Sequence, residues 1–327
     1  MGCETQNAPA DETSSASVRP AALSIDVLSK TTSGRIAAWT SGGNPREATQ
    51  GDVGMTKDSI GPAPPLSLET ADQPSLSARA LEPHTRSVFL DAGLEPGMRV
   101  LDAWSGAGDV AFVAREIVGP YGHVTGFDHT AATAAYANAR AASRGFANVE
   151  FIEADVDSLP IGPQFDAIVG RVVLMYRLHP VADLRTLLRY LRPGGLVIFQ
   201  EFDQLTGKTV PPAPVVDQVR DWMLDAFARA GIEMEIGHKL YQTFKAAGLP
   251  PPEMEIDGFI GGVEDISPTL FVNVVRSLVP QLEALGVATA DEIQIDTLEE
   301  RMRADLARTG GVVSTPLLIS AWARLPA

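Results

Sequence analysis

Between residues 98 and 203, short apolar runs alternate with stretches of helical period, and this alternation restricts the fold more than any other feature of the chain. MRVLDAW (98–104), HVTGFD (123–128), NVEFIEAD (148–155), FDAIVGRV (165–172) and LVIFQEF (196–202) read as buried strands. A helix over 109–118, TAATAAYANARAASRG (130–145) and a helix over about 180–191 followed by an RPGG turn lie between them. Strands alternating with helices fold into a parallel sheet with right-handed crossovers, so the expected class is α/β.

The flanks are different in texture. SLSARALEPHTRSVFLDAGL (75–94) has helical spacing with Gly93 as its stop. After Asp203 the pattern predicts helices over 212–231, 238–247, 267–286 and 291–308, with strands at EMEIDGFI (253–260) and TPLLISAWARL (315–325). Residues 1–75 are rich in Ser, Thr, Pro, Gly and Ala, with Trp39 their only aromatic. Too little apolar surface is available there to offset chain entropy, so a low-complexity, disordered tail is expected, with Leu23, Ile25 and Val27 its only strand-like alternation. Residues 76–327 are expected to form one domain with helical insertions near 205–247 and 262–309. These carry Trp222, Met223, Phe227, Met234, Phe244 and Phe271, as helix core or as the lining of an acceptor pocket.

Charge narrows the partners. A net charge of −15 disfavours nucleic acid, whose phosphates would be repelled. No run of eighteen apolar residues suggests a membrane span, and the N-terminus lacks a secretory signal pattern. MGCETQ has Gln6 where a myristoylation site needs Ser or Thr. Cys3 is the only cysteine, which excludes an internal disulfide and fits a reducing, cytoplasmic setting. Five scattered histidines without a His-x-x-x-His pair predict no metal site. Oligomeric state is left open.

Chemistry concentrates in VLDAWSGAGDVA (100–111). GAGDVA matches the dinucleotide pattern G-x-G-x-x-[GA], and Asp128 follows at about the spacing of a ribose-binding acid, so a nicotinamide-dependent reductase is one reading. Asp102 stands directly before the loop, where a pyrophosphate would find a carboxylate unwelcome. Asp155 closes the third strand and can accept from an exocyclic amine. Carboxylates at three successive strand ends, with no nearby Lys or Arg to clamp phosphate, suit an adenosine carrying a cationic amino-acid arm.

Taken as an ordered set, VLDAWSGAGD, GFD, FIEAD, FDAIVGRVVLMYRLHP, LRPGGLVIFQEFD and GGVVSTPLLISAWAR resemble the motifs of class I S-adenosylmethionine-dependent methyltransferases across residues 78–327. The resemblance implies a Rossmann-like seven-stranded sheet, last strand antiparallel, with helices on both faces and a helical lid insertion. S-adenosyl-L-methionine is the implied cofactor. Ser105, Gly106, Ala107 and Gly108 would approach its methionine and ribose, with Asp102 underneath. Asp128 would hold the ribose hydroxyls, with His129 against the ribose or adenine. Asp155 would meet the adenine amine and Val156 the ring edge, while Gly170 and Arg171 would close the methionine end.

Trp104 departs from the family pattern, which commonly has glycine there. An indole is expected at negative φ. It either turns away from the methionine or narrows the site. Catalytic candidates are Tyr176 and His179 in the VLMYRLHP turn, with His84, Glu201 and Asp203 as further polar groups near the acceptor. An Asn-Pro-Pro-Tyr motif for clamping DNA bases is absent. The expected function is methylation of a small organic acceptor such as a specialised metabolite. The alternative keeps the cofactor-binding fold but catalyses a rearrangement or cyclisation, or serves as a binding partner.

Overall fold

The computed structural model describes residues 76–160, 162 and 164–326. The expected N-terminal tail, its Leu23–Ile25–Val27 alternation and the MGCETQ segment lie outside the described residues. The first strands are β1 (Arg99–Ala103), β2 (His123–Asp128), β3 (Val149–Glu153), β4 (Phe165–Arg171) and β5 (Leu191–Asp203). With β7 (Glu253–Asp257) and β10 (Leu317–Arg324) they form a seven-stranded sheet in the order β3-β2-β1-β4-β5-β10-β7. The five strands β1 to β5 pair in parallel, and β10 runs antiparallel to both of its neighbours. This is the expected Rossmann-like sheet. The RPGG turn lies inside β5 rather than before it. Leu191 pairs with Phe165, and the ladder then skips to Leu196 against Ala167, so residues 192–195 bulge with Gly194 at φ 74°.

Pleating sorts the core into two layers. Val100, Val124, Val169 and Ile198 face α1 (Leu76–Asp91), α2 (Asp109–Val118) and α3 (Ala131–Ser143). Leu101, Ala103, Phe127, Ile168 and Phe199 face α4 (Pro180–Leu187) and α6 (Ile236–Ala247). Residues in alternation along a strand point to opposite faces, and a parallel sheet covered on both sides needs apolar residues at both parities.

A third cluster stands apart from the sheet. α5 (Pro214–Arg229), α7 (Ser267–Ala284), α8 (Ala290–Ile293) and α9 (Ile295–Thr309) pack Val219, Met223, Phe227, Phe271, Val275, Leu298 and Met302 together. Beside them β6 (Lys208–Val210), β9 (Val312–Ser314) and β8 (Ile260–Gly261) make a small antiparallel sheet. α6 belongs elsewhere than the sequence suggested. Expected in the helical insertion at 205–247, it instead lays Ile236, Leu240, Phe244 and Ala247 on the main sheet. Gly237 permits this approach, because a Cβ there would stand 3.0 Å from the Glu201 carbonyl oxygen and 3.2 Å from the Asp203 nitrogen. Gly237→Ala is therefore expected to lower stability by about 1–3 kcal/mol, the usual cost of overpacking, seen as a thermal midpoint several degrees lower. An unchanged midpoint would show that α6 has room to shift.

Candidate functional site

The three acids singled out in the sequence occupy neighbouring strand ends on one edge of the sheet. Asp102 pairs with Gly126, and Asp128 lies two residues beyond Gly126. Asp128 in turn pairs with Glu153, and Asp155 lies two residues beyond that. Asp102 and Asp128 thus share one pleat parity, opposite to that of Ala103 and Phe127, while Asp155 lies beyond the last residue of β3. Asp102 and Asp128 are buried, whereas Asp155 is exposed. Val156, next in the chain, is buried, and its carbonyl accepts from the Tyr190 hydroxyl at 3.1 Å.

The turn between β1 and α2 is held from several sides. Ser105 N–H donates to the Phe127 carbonyl and Gly108 N–H to the Ser105 carbonyl, each at 2.9 Å. Gly106 has φ 51° and donates its N–H to Asp128 Oδ2 at 3.2 Å. A Cβ at Gly106 would meet nothing within 4 Å, so the backbone faces open space there. Gly108 is the reverse case, with φ 86° and the Phe151 ring where a side chain would go. Arg140, fully buried on α3, donates to the Ala107 carbonyl and pairs with Asp109 at 2.8 Å. Nothing in the sequence around Arg140 marks this role, because its partners lie more than thirty positions away.

Two carboxylate oxygens at this edge are buried without a hydrogen-bond partner, Asp102 Oδ2 and Asp128 Oδ1. His129 Nδ1 lies 3.1 Å from Asp128 Oδ1, a charge contact available only to the protonated ring. Burial pushes the Asp102 carboxyl up to about 8, against the opposing pull of Arg171 and of the Ala111 amide in the first turn of α2. Arg171, which the resemblance puts at the methionine end, is close enough to Asp102 to act on its charge. It ends β4, donates to the Thr85 hydroxyl on α1 at 2.8 Å and is itself held below its usual range by burial. Gly170, before it, is buried with the Phe199 ring filling the position of a side chain.

Trp104 corrects an expectation. Its φ is +52°, in the left-handed region that an indole was expected to avoid, at a cost of about 1–2 kcal/mol. Tertiary packing overrides that cost. The indole tilts against Phe127 with centroids 5.4 Å apart, and the Arg177 guanidinium lies 4.7 Å above it, itself paired with Asp183 at 2.7 Å. The ring therefore joins the core layer of α4 and α6, on the face opposite Asp102 and Asp128.

The segment after β4 is equally constrained. Val172 has φ +57°, an outlier for a β-branched residue. Glu201, fully buried on β5, accepts from the N–H groups of Val173 (2.9 Å), Leu174 (2.7 Å) and Met175 (3.4 Å), which fixes the 3₁₀ turn Leu174–Tyr176. Burial raises the Glu201 carboxyl to about 7 despite those donors. Glu201→Ala would orphan three amides and is expected to cost about 3 kcal/mol or more, readable as a large drop in the urea midpoint. A midpoint unchanged from wild type would mean the turn holds itself. Burial, reinforced by Glu201, keeps the Tyr176 phenol above its ordinary range, so its ionised form is disfavoured. His179 precedes α4 and is exposed, with no side-chain cap hydrogen bond. His84 sits away from the three acids, bridging Ser320 Oγ (3.2 Å) and Asp257 Oδ2 (3.5 Å) between α1 and the strands β10 and β7. Asp203 has a partner 35 positions away that no local pattern marks, His238 at 2.6 Å.

Residues 94–248 match a family model described as a methyltransferase domain. A ubiquinone/menaquinone biosynthesis C-methyltransferase UbiE of Pseudomonas putida is 36% identical over 124 residues, 37% of this chain and 48% of that protein. The UbiE protein of Ectopseudomonas mendocina is 34% identical over 132 residues, 40% of this chain and 49% of its own length. The chain thus spans about half the length of the curated relatives it matches. Among solved structures, a putative methyltransferase of Bacillus halodurans is 17% identical with a TM-score of 0.48, covering 74% of this chain and 99% of its own.

Proposed function

We propose that the chain is a class I S-adenosylmethionine-dependent methyltransferase acting on a small organic acceptor, its residues 94–248 matching the methyltransferase-domain family model. The observation that carries the reading is the pair of buried carboxylate oxygens, Asp102 Oδ2 and Asp128 Oδ1, that accept no hydrogen bond beside the open face of Gly106. A buried carboxylate without a partner is costly unless a ligand satisfies it. Asp128 Oδ1 would accept from ribose hydroxyls and Asp102 Oδ2 from the ammonium of an amino-acid arm, with Arg171 available to its carboxylate. A dinucleotide pyrophosphate would place its charge against the same acids, which argues against the nicotinamide reading. Asp155, His129 and Val156 would border the adenine.

When bound, the cofactor supplies an electrophilic methyl group on a sulfonium. The chain's own contribution is mostly position. Gly106 would bring backbone close to the cofactor, Gly108 seats the turn on the Phe151 ring, Arg140 and Asp128 lock the turn, and Glu201 fixes the Leu174–Tyr176 turn. Holding reactants within about 3–3.5 Å in line supplies roughly 7–11 kcal/mol of the barrier. Tyr176, as a neutral phenol, would serve as a hydrogen-bond donor toward the acceptor and His179 as an outer polar group.

The likeness to proteins named C-methyltransferases of quinone biosynthesis supports a hydroxylated ring as acceptor, methylated at carbon. No helix among the described residues is long and apolar enough to cross a membrane, which suits a cytoplasmic enzyme. The test is transfer of ¹³C-methyl from labelled cofactor to methoxyhydroquinone, kept reduced, followed by NMR. A new ring-methyl signal is expected. An O-methyl signal would reassign the atom, and no transfer to any hydroxylated ring would remove the acceptor class.

A further inference from the structure

The carboxylate of Asp203, last residue of β5, is buried, whereas His238, third residue of α6, is 62% exposed with Nδ1 only 2.6 Å from Asp203 Oδ2. A carboxylate only accepts, so Nδ1 carries the hydrogen and the neutral ring offers a lone pair at Nε2. A base oriented by a buried acid, with its other nitrogen open to solvent, is the arrangement general-base chemistry needs.

Its place in the fold gives that nitrogen a purpose. Arg171 ends β4 opposite Gln200, and β5 continues to Asp203. At about 3.3 Å per residue, Asp203 overhangs the end of β4 by roughly 10 Å. The segment entering α6 is tied to the turn after β4, with Glu233 N–H donating to the Met175 carbonyl at 3.1 Å. It is also tied to the end of β5, Gln204 N–H donating to the Met234 carbonyl at 2.8 Å. Gly237 lets α6 press its first turn onto Glu201 and Asp203. Tyr176, Asp203 and His238 thus come from three mutually bonded segments at one end of the sheet. Neighbouring charges are accounted for. Glu201 is spent on the turn amides, while Glu233 and Glu235 share Lys239 at 2.8 and 3.5 Å.

We propose that His238 is a catalytic residue whose Nε2 receives the hydroxyl proton of the methyl acceptor, with Asp203 as its positioning residue. The inference rests on the methyl-transfer reading above. The acceptor's hydroxyl proton passes to Nε2 as a ring carbon bonds the methyl. The methyl–sulfur bond breaks with its electron pair left on sulfur. The proton displaced from that ring carbon restores the hydroxyl, so one proton leaves per methyl gained, and the imidazolium returns it to water.

The experiment uses the full chain with methoxyhydroquinone as the probe, first loaded with S-adenosylhomocysteine for ¹⁵N NMR, then with labelled S-adenosylmethionine for turnover. The His238 Nε2 resonance is expected to move when the probe is added, and Asp203→Asn to shift the neutral ring toward the other tautomer. His238→Ala is expected to slow transfer roughly 10²–10⁴-fold with an unchanged thermal midpoint, and added imidazole to restore part of the rate. Wild-type transfer rates in His238→Ala, or an Nε2 signal untouched by the probe, would overturn the assignment. Protein that binds S-adenosylhomocysteine yet methylates no probe overturns the acceptor class and this inference with it. Protein that binds no S-adenosylhomocysteine overturns the methyl-transfer reading itself.

Discussion

Replacing Asp102 by Asn is expected to flatten a pH dependence that in the wild-type protein amounts to about a tenfold gain in S-adenosylmethionine affinity per pH unit, up to about pH 8. The cause is the cost of ionising a carboxyl that is 1% exposed. Below about 8 the free protein holds Asp102 protonated, and a cationic ligand binds best to the ionised form, so binding expels a proton. Affinity therefore rises with pH until the carboxyl is already ionised. Stability runs the other way. The unfolded chain ionises Asp102 near 3.8 and the folded chain near 8, so the folded state holds the extra proton between those values. The stabilisation from this group is fully present below 3.8, is lost progressively as pH rises and is gone above about 8. Calorimetry at about pH 6 and pH 8, in buffers of different ionisation enthalpy, reads the proton directly. Equal wild-type affinity at both values, or an Asn variant that keeps the slope, would remove Asp102 from the cofactor site.

Asp128→Ala should weaken cofactor binding about 10- to 100-fold, while leaving the fold intact. One oxygen of Asp128 accepts the Gly106 N–H, and the other is buried with no hydrogen bond of its own. The substitution removes an acceptor for ribose hydroxyls and also the anchor that holds Gly106 at positive φ. Hydrogen bonds to charged groups are each worth about 1.5–3 kcal/mol, and 1.4 kcal/mol is a factor of ten. Asp128→Asn keeps the backbone anchor through its carbonyl oxygen and should fall between the two. Wild-type affinity in the Ala variant, with an unchanged circular dichroism spectrum, would mean the ribose is held elsewhere.

Much of this arrangement is legible in the sequence because its signals are local. Strand β2 and helix α2 fall on the residues where apolar period and glycine placement put them. The acids at or near the ends of β1, β2 and β3 can be read because each follows an apolar run, and parallel strands bring such ends together. What escapes the sequence depends on contacts made at long range. Trp104 takes positive φ because Phe127 and Arg177 hold its ring, which no local preference predicts. α6 has an amphipathic pattern that fits a lid or a sheet equally, and only Gly237 against β5 decides between them. Asp203 and His238 lie 35 positions apart and meet through that same docking. The small sheet of β6, β8 and β9 has strands of two or three residues, too short for any alternation to register.

Calorimetric titration of the full chain with S-adenosylmethionine, and in parallel with NADH, separates a site for a sulfonium nucleoside from one for a dinucleotide. Saturable one-to-one binding of the sulfonium cofactor, with no heat from the dinucleotide, is the predicted result. Binding of NADH with equal or greater affinity, or no binding of S-adenosylmethionine at any pH between about 6 and 8, would contradict the account.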